Sequence, residues 1–165
     1  MSISIGKRVY ESLSKMVSEG LASSYLYLAM SAVFKDMGLN GCAKWMRIQS
    51  DEERARAMIV YDHILLRGHK IKFLPLPAPK QDWRAPLHIF EEMMRHEQKS
   101  TASLMAVYDY AMSDKDCQTL NFIQGLIESQ IKEESTAASL LDRLQKMQGT
   151  DLGVILFDKE LGERT

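Results

Sequence analysis

Gly68–Trp83, "GHKIKFLPLPAPKQDW", is the stretch on which the architecture turns. It is far longer than a tight link between antiparallel helices. Three of the prolines, Pro75, Pro77 and Pro79, fall inside it and the last, Pro86, follows closely. Proline breaks a helix interior, so this cluster separates two proline-free helical halves. Upstream, Gly6 to about Lys35 reads as a first helix. "KDMGLNG" (Lys35–Gly41) interrupts it, and Asn40 is the expected N-cap of a second helix that runs to Arg67 and stops at Gly68. Downstream, a third helix is expected from Pro86, tolerated in a first turn, to Met112. "SDKD" (Ser113–Asp116) offers Ser113 or Asp114 as cap for a fourth, from 114 to Met147 before Gly149. "TDLGVILFDKEL" leaves a short fifth helix over 151–162. Each long helix spans roughly 40–50 Å at 1.5 Å per residue. Short link, long link, short link is the connectivity of an all-α four-helix bundle with one long crossover. Strands are not expected, because Ala, Met, Leu, Lys and Glu dominate and β-branched alternation is missing.

The chain has 165 residues, which reads as a single domain over 1–165 with a substantial core. Lys and Arg number 21 against 22 Asp and Glu, so no sequence-wide charge draws it to nucleic acid or an anionic membrane. Cys42 and Cys117 form no C-x-x-C pair and read as reduced, structural thiols. The opening "MSISIGKRVYESL" lacks an apolar signal-type stretch, and nowhere do ~18 apolar residues run together. The expected location is cytoplasmic.

Heptad-like spacing then marks the buried stripes. Helix 2 places Met46, Ala57, Val60 and Ile64 inward, with Glu53 among them. Helix 3 reads Phe90, Met94, Glu97, Thr101, Leu104, Tyr108, and helix 4 reads Ile123, Leu126, Gln130, Glu133, Ala137, Leu140, Leu144. Tyr27 shares a face of helix 1 with Gly20 and Ser24. Three carboxylates and an amide thus point inward near the middle of their helices. A lone buried carboxylate costs several kcal/mol unless it is paired or neutralised, and three together repel. Something positive must face them: a metal ion, Arg56, or protons.

"SSYLYLAMSAVF", "GLNGCAKWMRIQSDEE", "HEQKSTASLMAVYDYAM", "NFIQGLIESQIKEE" and "LFDKEL" together resemble a prokaryotic non-haem ferritin, in colinear order over nearly the whole chain. The resemblance implies a hollow shell of 24 subunits storing iron as ferric mineral. It also implies a ferroxidase centre in each bundle, where two Fe(II) ions react with O₂ or peroxide, and a third iron site on the cavity side. By that resemblance Glu53 matches the bridging carboxylate, and Glu97 a ligand of the second iron with Gln130 close by. Glu133 matches the glutamate shared by the second and third sites, Glu52 an acid of the third, and Tyr27 the tyrosine beside the centre. The first iron's terminal glutamate falls on Gly20 and its histidine on Arg56. Two glutamates of the third site fall on Ser129 and Lys132, and a nearby aromatic on Gly125. Glu19 is not a simple stand-in for Gly20, because one helical step turns a side chain about 100°.

These departures fit together. Arginine stays charged at physiological pH and its planar fork suits carboxylates. Arg56 is therefore expected to reach Glu53, Glu97 or both in place of the first iron, and Lys132 to act likewise at the third site. Light-chain-type ferritin subunits are similar in using a basic side chain this way. Three carboxylates less one guanidinium leave room for at most one weak metal site near Glu97, Gln130 and Glu133; oxygen donors without histidine favour hard cations. No methionine follows Glu53 in the place of a haem ligand, so haem is not expected. The leading expectation is an iron-storage subunit with ferroxidase activity lost or strongly reduced, alone or in shells mixed with an active subunit. Two alternatives stand beside it. One is a ferroxidase whose site is rearranged through Glu19 or Glu52, and the other a purely structural cage subunit. The fifth helix, with Leu152, Val154, Ile155, Leu156 and Phe157, is too apolar to leave exposed and is expected to be buried at a symmetry axis.

Overall fold

The computed structural model describes residues 4–147 and 150–165. They form five helices: α1 Lys7–Asp36, α2 Asn40–Leu66, α3 Pro86–Ser113, α4 Cys117–Met147 and α5 Asp151–Leu161. No strand occurs among the described residues. The expected stop at Gly149 lies outside them. α1 packs along α2 and α3 along α4, and the extended segment 67–85 crosses between the pairs. That segment is tied down by Tyr10, whose hydroxyl donates to the Lys70 carbonyl (2.9 Å), and by the Leu74 amide, which donates to Ser18 Oγ (3.0 Å). Trp83 anchors its far end in the core.

Local chemistry explains most of the helix ends. Gly38 (φ +74°) and Gly68 (φ +77°) take the left-handed conformation that closes α1 and α2. Pro86 opens α3 in its first turn. Two expected caps fall elsewhere. Asn40 is the first residue of α2, and its side-chain oxygen accepts from Lys35 Nζ at 2.9 Å. The free amide of Cys42 is met by Asp158 Oδ1 of α5 at 2.7 Å. Neither Ser113 nor Asp114 caps α4, because α3 extends through Ser113. Asp116 does so: its Oδ1 accepts from the Thr119 amide at 3.1 Å.

The interior divides into two apolar clusters. One holds Tyr27, Met30, Phe34, Met46, Phe90, Leu140, Leu144 and Phe157, and the other Val9, Leu13, Val60, Ile64, Leu104, Val107 and Ile123. On α2 the break between them falls at Gln49, Ser50 and Glu53, on α3 at Glu97, and on α4 at Gln130, all buried. Three helices in register therefore set one polar layer across the middle of the bundle. α5 closes one end, burying Phe157 and Leu161. A Cβ on Gly41 would sit 1.7 Å from the Asp158 carbonyl oxygen, so only glycine lets α5 approach α2 so closely. Leu152, Ile155 and Leu156 remain exposed on its outer face. No helix among the described residues is long and apolar enough to cross a membrane.

Candidate metal centre

The polar layer brings Tyr27, Glu53, Glu97, Gln130 and Glu133 together with Arg56. Glu53 is 5% exposed, Glu97 1% and Gln130 2%, while Glu133 sits at the edge with its side chain 19% exposed. The Tyr27 hydroxyl donates to Glu97 Oε1. Gln130 Nε2 donates to Glu97 Oε2 at 2.8 Å and to the Glu97 carbonyl at 3.1 Å. Arg56 Nη1 donates to Glu53 Oε1 at 2.6 Å and Nη2 to Glu133 Oε1 at 3.0 Å. Its second partner is thus Glu133 rather than the expected Glu97, whose oxygens are already taken by Tyr27 and Gln130. Gln49 Nε2 donates to Glu133 Oε2 at 2.8 Å. Of the six carboxylate oxygens on Glu53, Glu97 and Glu133, five accept a protein hydrogen bond, and Glu53 Oε2 has no such partner among the described residues.

The charges do not balance within this group, and the ionisation of its members reflects that. Burial pushes the Glu53 carboxyl up to about 7; Arg56 pulls it down, while Glu97, Glu133 and Glu52 push it further up. Burial works against the Arg56 cation, but Glu53, Glu133 and Glu97 outweigh it and raise its pKa. Tyr27 is held well above the usual phenol range, by burial first and then by Glu97. A neutral phenol donating to Glu97 follows from that, so Tyr27 contributes a proton to the layer and no charge.

Gly20 lines a cavity of about 60 Å³ together with Glu53, Arg56, Ala57 and Gln130. The space does not amount to a missing side chain waiting to be restored. A Cβ on Gly20 would lie 2.7 Å from Ala57 Cβ, so α1 and α2 have closed together here. Glu19 also lines this cavity and pairs with Lys15 at 3.4 Å, and His96 Nε2 shares a hydrogen bond with Ser23 Oγ at 2.9 Å. On the α2–α4 side, Glu52, Arg56, Gly125, Ser129 and Glu133 line an open groove of about 540 Å³. A Cβ on Gly125 would meet nothing within 4 Å, which leaves the groove without an aromatic wall at that point.

Lys132, expected to supply charge on this side, is exposed. It makes no ion pair among the described residues. The cation found there is Arg164, which the sequence reading passed over: its Nη2 donates to Glu52 Oε2 at 2.6 Å. Gln49, Arg164 and Glu134, which accepts from Thr101 Oγ1 at 2.6 Å, were missed. The only available signal for Gln49 was its place one turn before Glu53. Among the described residues no three His, Cys, Asp or Glu side chains converge as a ready-made metal site.

Comparison with known proteins agrees with the fold. The Ferritin-like domain family matches residues 10–147. A bacterial non-heme ferritin of Bacteroides fragilis is 32% identical over 160 residues, covering 97% of this chain and 99% of the relative. One from Staphylococcus haemolyticus is 30% identical over 162 residues, covering 98% and 97%. The crystal structure of an open pore ferritin from the hyperthermophilic archaeon Archaeoglobus fulgidus superimposes with a TM-score of 0.96 at 33% identity, covering 98% of this chain and all of the other. An all-α bundle with a short closing helix and a mid-bundle carboxylate layer defines the class, and the chain belongs to the ferritin family.

Proposed function

We propose that this protein is an iron-storage subunit of a ferritin cage in which Arg56 stands where the first iron of a two-iron centre would bind. Fast paired oxidation of Fe(II) is then lost or strongly slowed. The observation that carries this reading is the saturation of the carboxylates: five of six oxygens on Glu53, Glu97 and Glu133 accept protein hydrogen bonds, two of them from one guanidinium. Iron, as cargo, is left at most one weak bundle site, near Glu97, Gln130 and Glu133. Oxidation proceeds slowly on cavity-facing carboxylates, or is supplied by an active subunit in a mixed shell. Against a rearranged oxidase, Glu19 pairs with Lys15 and Glu52 with Arg164.

The proposal extends to assembly in a 24-subunit cytoplasmic shell. It is supported here by the exposed apolar face of α5, whose Leu152, Ile155 and Leu156 need cover. Stopped-flow absorbance after addition of two Fe(II) per subunit tests the central point. The native protein is expected to give only slow turbidity. The triple variant Gly20→Glu, Arg56→His, Ala57→Gly is expected to gain a rapid phase, because it restores two ligands and removes the steric block. A rapid phase in the native protein would overturn the reading.

A further inference from the structure

The segment after α5 reaches back to the carboxylate layer through one residue, Arg164. Its guanidinium donates to Glu52 Oε2 (2.6 Å) and Gln49 Oε1 (3.0 Å), and contacts the Trp45 carbonyl (3.5 Å). It also lies over the Trp45 ring, 4.4 Å from the centroid. A surface Arg–Glu pair alone is worth little. Here the guanidinium is fixed on several sides, with the aromatic face adding a cation–π contact. α5 sets its position: Asp158 caps the Cys42 amide at 2.7 Å, and Lys44 Nζ donates to the Gly162 carbonyl at 2.9 Å, two residues before Arg164.

We propose that Arg164 is a second built-in countercharge, a positioning residue that keeps the Glu52–Glu133 side of the centre closed to multivalent cations. The inference rests on the reading of Arg56 given above and extends it to the neighbouring carboxylates. Its mechanism is the orientation of one amide. Because Arg164 donates to Gln49 Oε1, Gln49 must present Nε2 to Glu133 Oε2, as it does at 2.8 Å. An N–H aimed at that carboxylate satisfies it and repels a cation. Without Arg164 the amide is free to reverse, so that Gln49 oxygen, Glu133 and the released Glu52 offer converging hard donors. Four carboxylates (Glu52, Glu53, Glu97, Glu133) then face one guanidinium instead of two.

Terbium(III), a hard cation whose emission is sensitised by a nearby indole, tests this in the full-length assembled protein, since Trp45 flanks the site. Arg164→Gln is expected to gain one saturable, tryptophan-excited site per subunit, binding about tenfold or more tighter than any seen in the native protein. Adding Glu52→Gln to that variant should abolish the gain. Arg164→Lys keeps the charge and should stay closed like the native protein, which separates the countercharge from any loosening of α5. Equal terbium affinity for the native and Arg164→Gln proteins would overturn the proposal, as would a Lys variant that opens as fully as the Gln variant. Failure of the Arg56 reading looks different: two ions per native subunit, both lost in Glu53→Gln.

Discussion

Two arginines, Arg56 on α2 and Arg67 at its C-terminal cap, answer to opposite rules. Arg67 meets one acid, Asp116, through Nη1–Oδ1 (3.1 Å) and Nη2–Oδ2 (3.3 Å), and both side chains are 4% exposed. Thr119 completes the set, donating its hydroxyl to Asp116 Oδ2 at 2.7 Å and accepting from Arg67 at 3.1 Å. Burial pushes the Asp116 carboxyl up, but the Thr119 hydroxyl and amide and the Arg67 guanidinium outweigh it and hold it below the usual carboxylate range. Arg56 instead faces three inward acids, and one of them, Glu53, is driven up to about 7. In the first pair one cation meets one acid, and the second group keeps an excess of negative charge. A matched pair serves structure. A mismatched one keeps the capacity to take up a proton or a cation, and capacity of that kind marks a site.

The contrast can be broken from either end. Asp116→Ala removes the α4 cap and strands a buried guanidinium, so urea unfolding should show a loss of about 3–5 kcal/mol, with cation binding unchanged. Next comes pH. A carboxyl raised from 4.5 to about 7 in the folded state holds its proton more tightly there than in the unfolded chain. Its contribution favours folding below 4.5 and is lost as pH rises through that window, by about 3 kcal/mol in all. Glu53→Gln should flatten that slope in unfolding measured from pH 4.5 to 7.5, and Asp116→Asn should not.

Third, Arg56→Gln leaves the acids without their cation, and the protein should then become stabilised by added Mn(II). A gain of about 2.7 kcal/mol is expected at a hundredfold excess over Kd, read from the dependence of Tm on Mn(II). The native protein should respond far less. The smallest effect is steric: Gly20→Ala should cost about 1–3 kcal/mol through overpacking against Ala57, and pairing it with Ala57→Gly should recover most of that in thermal unfolding.

The helices and the crossover were legible because apolar periodicity, proline and glycine act within a few residues of themselves. The inward acids were legible for the same reason, since Glu53, Glu97 and Gln130 interrupt otherwise apolar stripes. Hydrogen-bond partners are another matter. Arg56 divides between Glu53 and Glu133 because of the rotation of α4 against α2, which no spacing within α2 records. Arg164 lies 112 residues from Glu52 and reaches it only because α5 docks on Gly41. Lys132 sits beside Glu133 in sequence, yet one helical step turns it outward. The misplaced caps have a similar cause: α2 begins at Asn40 itself, and its Cys42 amide is served by Asp158 from a distant helix.

The close approach of α1 and α2 at Gly20 also bears on the order in which this protein could change. Introducing a carboxylate at that position first meets Ala57 head on, so the single substitution is penalised before any ligand exists to reward it. Trimming Ala57 first gains nothing by itself and opens a void. Either single change is therefore worse than the pair, and the helix contact holds position 20 to glycine.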